Sequence, residues 1–228
     1  MPSEPGVEPP LSNLPFARAR AAANDDEGHL VLERLLFFSD AVFAIAMTLL
    51  VVDLRPPDAG LGSDAAAAQV LGDALGRILA FVISFVVVGL YWDGHLRIFR
   101  VIRTADRALI GLNLAFLIWI AFMPYPTSIL GDGPLTRVSV AFYAIVQIGA
   151  GISEAAIWIY ATRHPALLRS PIGPDVARLV AAQILRGPVI FAISLLIALV
   201  SPPLAAASWI LLIPASYVID RRWGRATS

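Results

Sequence analysis

The chain has no cysteine and no lysine, and charge of either sign is sparse: 15% of its 228 residues are charged, while 58% are hydrophobic. Without cysteine it can build neither a disulfide framework nor a thiolate metal site. Its seventeen basic residues are all arginine, and seventeen acids balance them to a formal charge of zero. That balance gives no electrostatic reason to expect a nucleic-acid partner. H-E-x-x-H and G-x-S-x-G are absent, as is any Ser/His pair at a recognised catalytic spacing, so neither an enzyme nor a metal or organic cofactor is expected. There is also no Ca²⁺-binding loop and no arginine-rich voltage-sensor helix. What remains is apolar, with a mean hydropathy of +0.75. This is the composition of an integral membrane protein in contact with the lipid bilayer, expected to be all-α and multi-pass in the cell membrane.

A helix crosses the roughly 30 Å hydrocarbon core in about 20 residues, and six apolar stretches meet that length. They run approximately Leu35–Leu54, Leu75–Phe99, Ala108–Ile129, Leu135–Ala161, Val176–Val200 and Leu204–Ile219. The segments between them carry turn chemistry, such as "RPPDAGLGSD", "GDGP" and "SPP". Arginine placement orients the spans, because short Arg-rich loops stay in the cytoplasm. Arg18, Arg20 and Arg34 precede the first span, Arg97, Arg100, Arg103 and Arg107 follow the second, Arg163, Arg169 and Arg178 follow the fourth, and Arg221, Arg222 and Arg225 follow the last. Both termini are therefore expected in the cytoplasm, which agrees with an even number of spans. The expected layout is a flexible cytoplasmic tail over 1–29, a six-span transmembrane domain over 30–220 and a short cytoplasmic tail over 221–228.

Ionisable side chains within a span cost several kcal/mol unless paired or hydrated, so each is a candidate for function or helix bonding. With this topology Ser39 and Asp40 on the first span, Trp92 and His95 on the second, and Asn113 on the third reach one depth near the cytoplasmic side. A hydrogen-bonded cluster there would satisfy Asp40 and tie three helices together, a structural rather than an ion-conducting role. Glu154 and Arg186, in the inner halves of the fourth and fifth spans, are candidates for a buried ion pair. On the first span Ile45, Thr48, Leu49 and Val52 fall at i, i+3, i+4 and i+7 and share one helix face, from which Asp40 points about 140° away.

The segment "RLLFFSDAVFAIAMTLLVVDL" (34–54) resembles the first helix of the endosomal and lysosomal transmembrane potassium channel family, whose signature is R-x-x-x-F-S-D followed by an apolar helix. Arg34, Phe38, Ser39 and Asp40 match it, and Ser84–Phe85, Tyr91–His95 and Asn113 resemble further family positions. The resemblance implies a K⁺-permeable cation channel of the bacterial single-repeat branch, a homotetramer whose first helices surround the pore. It implies Ile45 as the narrowest layer, Leu49 and Val52 as the layers beyond it, and Thr48 as the layer linked to cation preference. Arg34, Ser39, Asp40, Trp92, His95 and Asn113 would form the bonding network behind the pore. No T-V-G-Y-G carbonyl filter is present, so the apolar ring would gate by dewetting, and other monovalent cations or protons are candidate permeant ions beside K⁺. The alternative is a secondary transporter or proton-coupled permease using Asp40, Glu154 and Arg186. Against it stand the lack of an internal repeat and of paired interrupted helices.

Overall fold

Helix starts and stops in this chain follow from local capping chemistry and proline, and they set the depth at which each polar side chain lies. A computed structural model describes residues 15–52, 54 and 62–209, with side chains from Gly28 onward. Helix α1 spans Pro15–Val52, so the expected tail boundary at residue 29 falls within a continuous helix. Helix α2, Asp64–Arg100, is capped by Ser63, whose hydroxyl accepts the Ala66 N–H at 3.2 Å. At 1.5 Å per residue this helix is about 55 Å long, well beyond the hydrocarbon core. Asp106 caps helix α3, Arg107–Phe122, by accepting the Leu109 N–H at 2.8 Å, and its other oxygen accepts the Tyr160 hydroxyl at 2.7 Å. Partial burial would raise the Asp106 pKa, but these two donors, together with the nearby His164 and the Ala108 N–H, outweigh it and hold the carboxyl below its usual value.

The third apolar stretch is not one straight helix. Pro124 and Pro126 lack the N–H that would continue the ladder, so α3 stops at Phe122 and α4, Pro124–Gly131, starts afresh after Met123. Thr136 and Ser139 form a reciprocal capping box at the start of α5, Arg137–Arg163. A 3-10 turn over Pro165–Leu167 leads to α6, Pro174–Val200, and α7 occupies Pro202–Ser208. Five stretches among the described residues are long and apolar enough to cross a membrane: Gly28–Val52, Asp64–Arg100, Arg107–Gly131, Arg137–Arg163 and Pro174–Val200. The expected sixth span coincides with α7 at its start, and from residue 210 onward it lies outside the described residues, as does residues 1–14 of the expected N-terminal tail.

Helix α5 packs most extensively on α6. Gly151 of α5 packs against the Pro188 ring of α6, where any Cβ would overlap it. Helices α1, α2, α3 and α5 share an apolar core that includes Phe43, Val88, Phe116, Ile120 and Ile157. A second core joins α5 to α6 and the start of the sixth stretch, with Tyr143 stacked on Trp209 at a 4.8 Å centroid distance. The 101–103 and 167–169 loops meet as a short antiparallel pairing, Arg103 N–H to Leu167 O at 2.7 Å and Arg169 N–H to Val101 O at 2.9 Å. Both loops are thereby tied together beneath the helices.

Candidate functional site

Helix α1 has two unlike faces. Leu32, Leu35, Ser39, Phe43, Ala46 and Leu50 recur at three- and four-residue intervals and are all buried against the rest of the subunit. Arg34, Phe38, Ala41, Ile45, Thr48, Leu49 and Val52 lie on the opposite side and are exposed, Ile45 by 58%. The helix is thus anchored by one stripe, and the other makes no side-chain bond to another helix among the described residues. The Thr48 hydroxyl donates to the Ile45 carbonyl at 2.9 Å, which spends its proton on the backbone and leaves its lone pairs toward the open side.

Behind the buried face the polar residues of three helices meet. Asn113 donates its Nδ2–H to Ser39 Oγ at 2.9 Å, and His95 Nε2 lies 2.8 Å from Asn113 Oδ1. The Ser39 hydroxyl in turn donates to the Leu35 carbonyl at 2.8 Å. Because the Asn113 amide donates to Ser39, its oxygen is left to accept, so His95 carries its proton on Nε2. The chain of donors therefore runs one way, from α2 through α3 to the α1 backbone. The side chains of Ser39, His95 and Asn113 are fully buried. The imidazole is enclosed by Phe43, Phe99 and Phe116, at centroid distances of 5.7, 4.4 and 5.8 Å. These bonds, made in a buried interface, hold α1, α2 and α3 in one register, and His95 Nδ1 stays buried among the aromatic rings with no hydrogen-bond partner among the described residues.

The cluster expected from the sequence divides into two parts. Trp92 Nε1–H donates to Asp40 Oδ1 at 3.0 Å, but both residues are exposed, Trp92 by 41%. This second bond joins α1 to α2 at the subunit surface rather than inside it. Arg34 is not brought into either part: it is exposed, and it has no hydrogen bond or ion pair among the described residues. It lies eleven residues before Ile45, about 20° round the helix, on the stripe side.

Glu154 and Arg186 line one cavity between α2, α5 and α6, but the expected ion pair does not form. Glu154 instead lies over α2, with its Oε1 against Gly94. A second polar cluster escaped sequence reading. Thr127 Oγ1 lies 2.8 Å from Ser84 Oγ and 2.8 Å from the Met123 carbonyl, and Ser84 Oγ lies 3.0 Å from the Tyr143 hydroxyl. It bonds α4 to α2 and α5 at the level where the third stretch breaks. The same depth argument that grouped Ser39 with Asn113 would have found it, had the break at Met123 been placed first.

The described residues contain no cluster of three or more His, Cys, Asp or Glu able to hold a metal ion. The arrangement offers no nucleophile–base pair; it offers an exposed apolar helix face with one hydroxyl layer, braced from behind by a hydrogen-bonded network.

Residues 34–124 match the family model described as endosomal/lysosomal potassium channel TMEM175. A Streptomyces collinus protein named a potassium channel is 33% identical over 180 residues, which cover 77% of this chain and 86% of that one. The Gallus gallus protein named endosomal/lysosomal proton channel TMEM175 is 32% identical over 143 residues, covering 61% of this chain and 28% of its own length. Among solved structures, the crystal structure of a lysosomal potassium-selective channel TMEM175 homologue from Chamaesiphon minutus matches with a TM-score of 0.71 and 26% identity, over 83% of this chain and 97% of that one.

Proposed function

The chain belongs to the endosomal/lysosomal potassium channel TMEM175 family, and from that membership and the geometry of α1 we propose that it is a K⁺-permeable channel whose pore is lined by α1. The observation that carries this reading is the exposed stripe of Ile45, Thr48, Leu49 and Val52, opposite a face locked into the subunit. One helix cannot enclose a pore. The stripe becomes a pore wall when subunits assemble, and the reading is a homotetramer with six spans per subunit and both termini cytoplasmic, in the cell membrane. Ile45 forms the constriction, with Leu49 and Val52 as further apolar layers. A ring of such side chains excludes water when narrow and conducts after a small helix rotation. Thr48 supplies side-chain oxygens one turn away, so selectivity rests on a hydroxyl layer rather than on backbone carbonyls.

The test is a planar-bilayer recording of purified protein under asymmetric K⁺ and Na⁺. A passive current reversing toward the K⁺ equilibrium potential is expected. Absence of current from assembled protein, or mass measurement in nanodiscs showing monomers alone, overturns the pore. The animal relatives are named proton channels, so the recording is repeated under a pH gradient. A shift of the reversal potential with that gradient adds protons to the permeant ions.

A further inference from the structure

Between α2, α5 and α6, away from every residue of α1, lies a cavity of about 170 Å³. Cavities of roughly 150 Å³ hold a molecule the size of benzene. Most of its wall is apolar, with Leu90, Ile184 and Phe191 among the lining residues, and four charged side chains interrupt it. Two of these are spent on each other, since Arg97 meets Asp93 at 2.6 Å. The other two are Glu154 and Arg186, which are not paired. Glu154 is only 5% exposed, and its buried Oε1 has no hydrogen-bond partner. Leaving such a group unmade is costly in a dry interface. The sequence nevertheless preserves its room: Oε1 would overlap a Cβ on Gly94, so a glycine of α2 lets the carboxyl rest on the helix at the wall of the cavity that both residues line. Ile184 of the wall brings a further acceptor close by. Pro188 has no N–H, so the carbonyl of Ile184 lacks its helical donor.

The cavity therefore asks for an N–H donor at Glu154 and an acceptor at Arg186, with apolar surface between. An occupant bearing one charge of each sign answers both and leaves a low-dielectric site neutral, which a simple cation or anion would not. We propose that this cavity binds a small zwitterion, a primary ammonium and an anionic group joined by an apolar spacer. The ammonium bonds Glu154 and the Ile184 carbonyl, the anionic group meets the Arg186 guanidinium, and the spacer lies against Leu90 and Phe191. A quaternary ammonium, which has no N–H to donate, is excluded by the same chemistry.

The probe is 6-aminohexanoate, titrated calorimetrically into the full chain in phosphatidylcholine nanodiscs, with n-hexylammonium and hexanoate as single-charge controls. The zwitterion is expected to bind at least about tenfold more tightly than either control, and Glu154→Gln and Arg186→Gln are each expected to weaken it by about tenfold, the loss of one charge-assisted bond. No binding, equal binding of n-hexylammonium, or unchanged affinity in both assembled variants overturns the proposal. If a variant fails to assemble, the ligand series on the native chain decides alone. Repeating the titration with phosphatidylethanolamine in the bilayer identifies the source. Loss of probe binding assigns the site to that lipid headgroup and retained binding to a soluble solute, and either supports the zwitterion chemistry. Binding, not conduction, is read, so the outcome is independent of the pore.

Discussion

The buried and exposed faces of α1 are built from nearly the same residue types, yet they behave in opposite ways. On one face Phe43, Ala46 and Leu50 are shut into the core and Ser39 bonds α3. On the other Ile45, Leu49 and Val52 are just as apolar, but among the described residues they stay about half exposed. Hydrophobicity alone does not separate core from functional surface in a membrane helix, because lipid, protein and a closed pore all accept leucine. What separates the faces is where the polar atoms go. The Ser39 side is tied into a directed hydrogen-bond chain, whereas among the described residues the Thr48 side bonds only to its own backbone. The first is fixed in register, and the second is free to meet another copy of itself.

The comparison breaks most severely at Phe43. This ring is 1% exposed and packs on His95 and Phe116. Phe43→Asn removes it and buries an amide, at a cost of about 3–5 kcal/mol for the lost side chain alone. Loss of assembled protein on size exclusion is expected; normal assembly would mean that this face is not the anchor. Asn113→Leu is milder. It keeps the volume but strands the His95 Nε2–H and one lone pair of Ser39, a loss of about 1–3 kcal/mol per stranded group. A lowered melting temperature in detergent, with unchanged ion preference in what survives, marks the network as structural.

How much of this was legible in the sequence depended on whether a feature was local. Helical periodicity placed Asp40 about 140° from Ile45 on α1, and span direction put Ser39, His95 and Asn113 at the same depth. Rotation about the helix was harder. Asp40 adjoins Ser39 in sequence, but the 100° step between neighbours carries it from the buried network to the subunit surface. Glu154 and Arg186 share a depth and a cavity, yet depth says nothing of distance across that cavity. The break at Met123 was written in Pro124 and Pro126, and hydropathy averaged over the stretch concealed it. The pairing of the 101–103 and 167–169 loops is made by backbone groups, which every sequence carries alike.

On the exposed face the expected effects are on current, not on folding. In the proposed pore Ile45→Asn would place a polar group at the apolar constriction, and a wetted constriction conducts. Resting current in bilayers should rise while assembly stays normal. Val51, also exposed, is the control: it lies six residues on, about 120° round the helix from Ile45. Val51→Asn should leave the current unchanged. A reversal of the two results would turn the pore-lining face toward Val51 and remove Ile45, Leu49 and Val52 from it.

The smallest effect is expected at Thr48, and it bears on selectivity alone. Its hydroxyl proton is already given to the Ile45 carbonyl at 2.9 Å, so only lone pairs remain for a passing cation. Thr48→Ala deletes those oxygens without adding bulk or charge, and alanine is the better helix former, so neither folding nor conduction should suffer. The K⁺ over Na⁺ permeability ratio from reversal potentials should fall by about fivefold, the equivalent of about 1 kcal/mol of differential coordination. Thr48→Ser keeps the oxygen and loses only the methyl, so it should retain the native ratio. If Thr48→Ser falls as far as Thr48→Ala, the methyl's contribution to pore width matters rather than the hydroxyl, and selectivity on this face is steric.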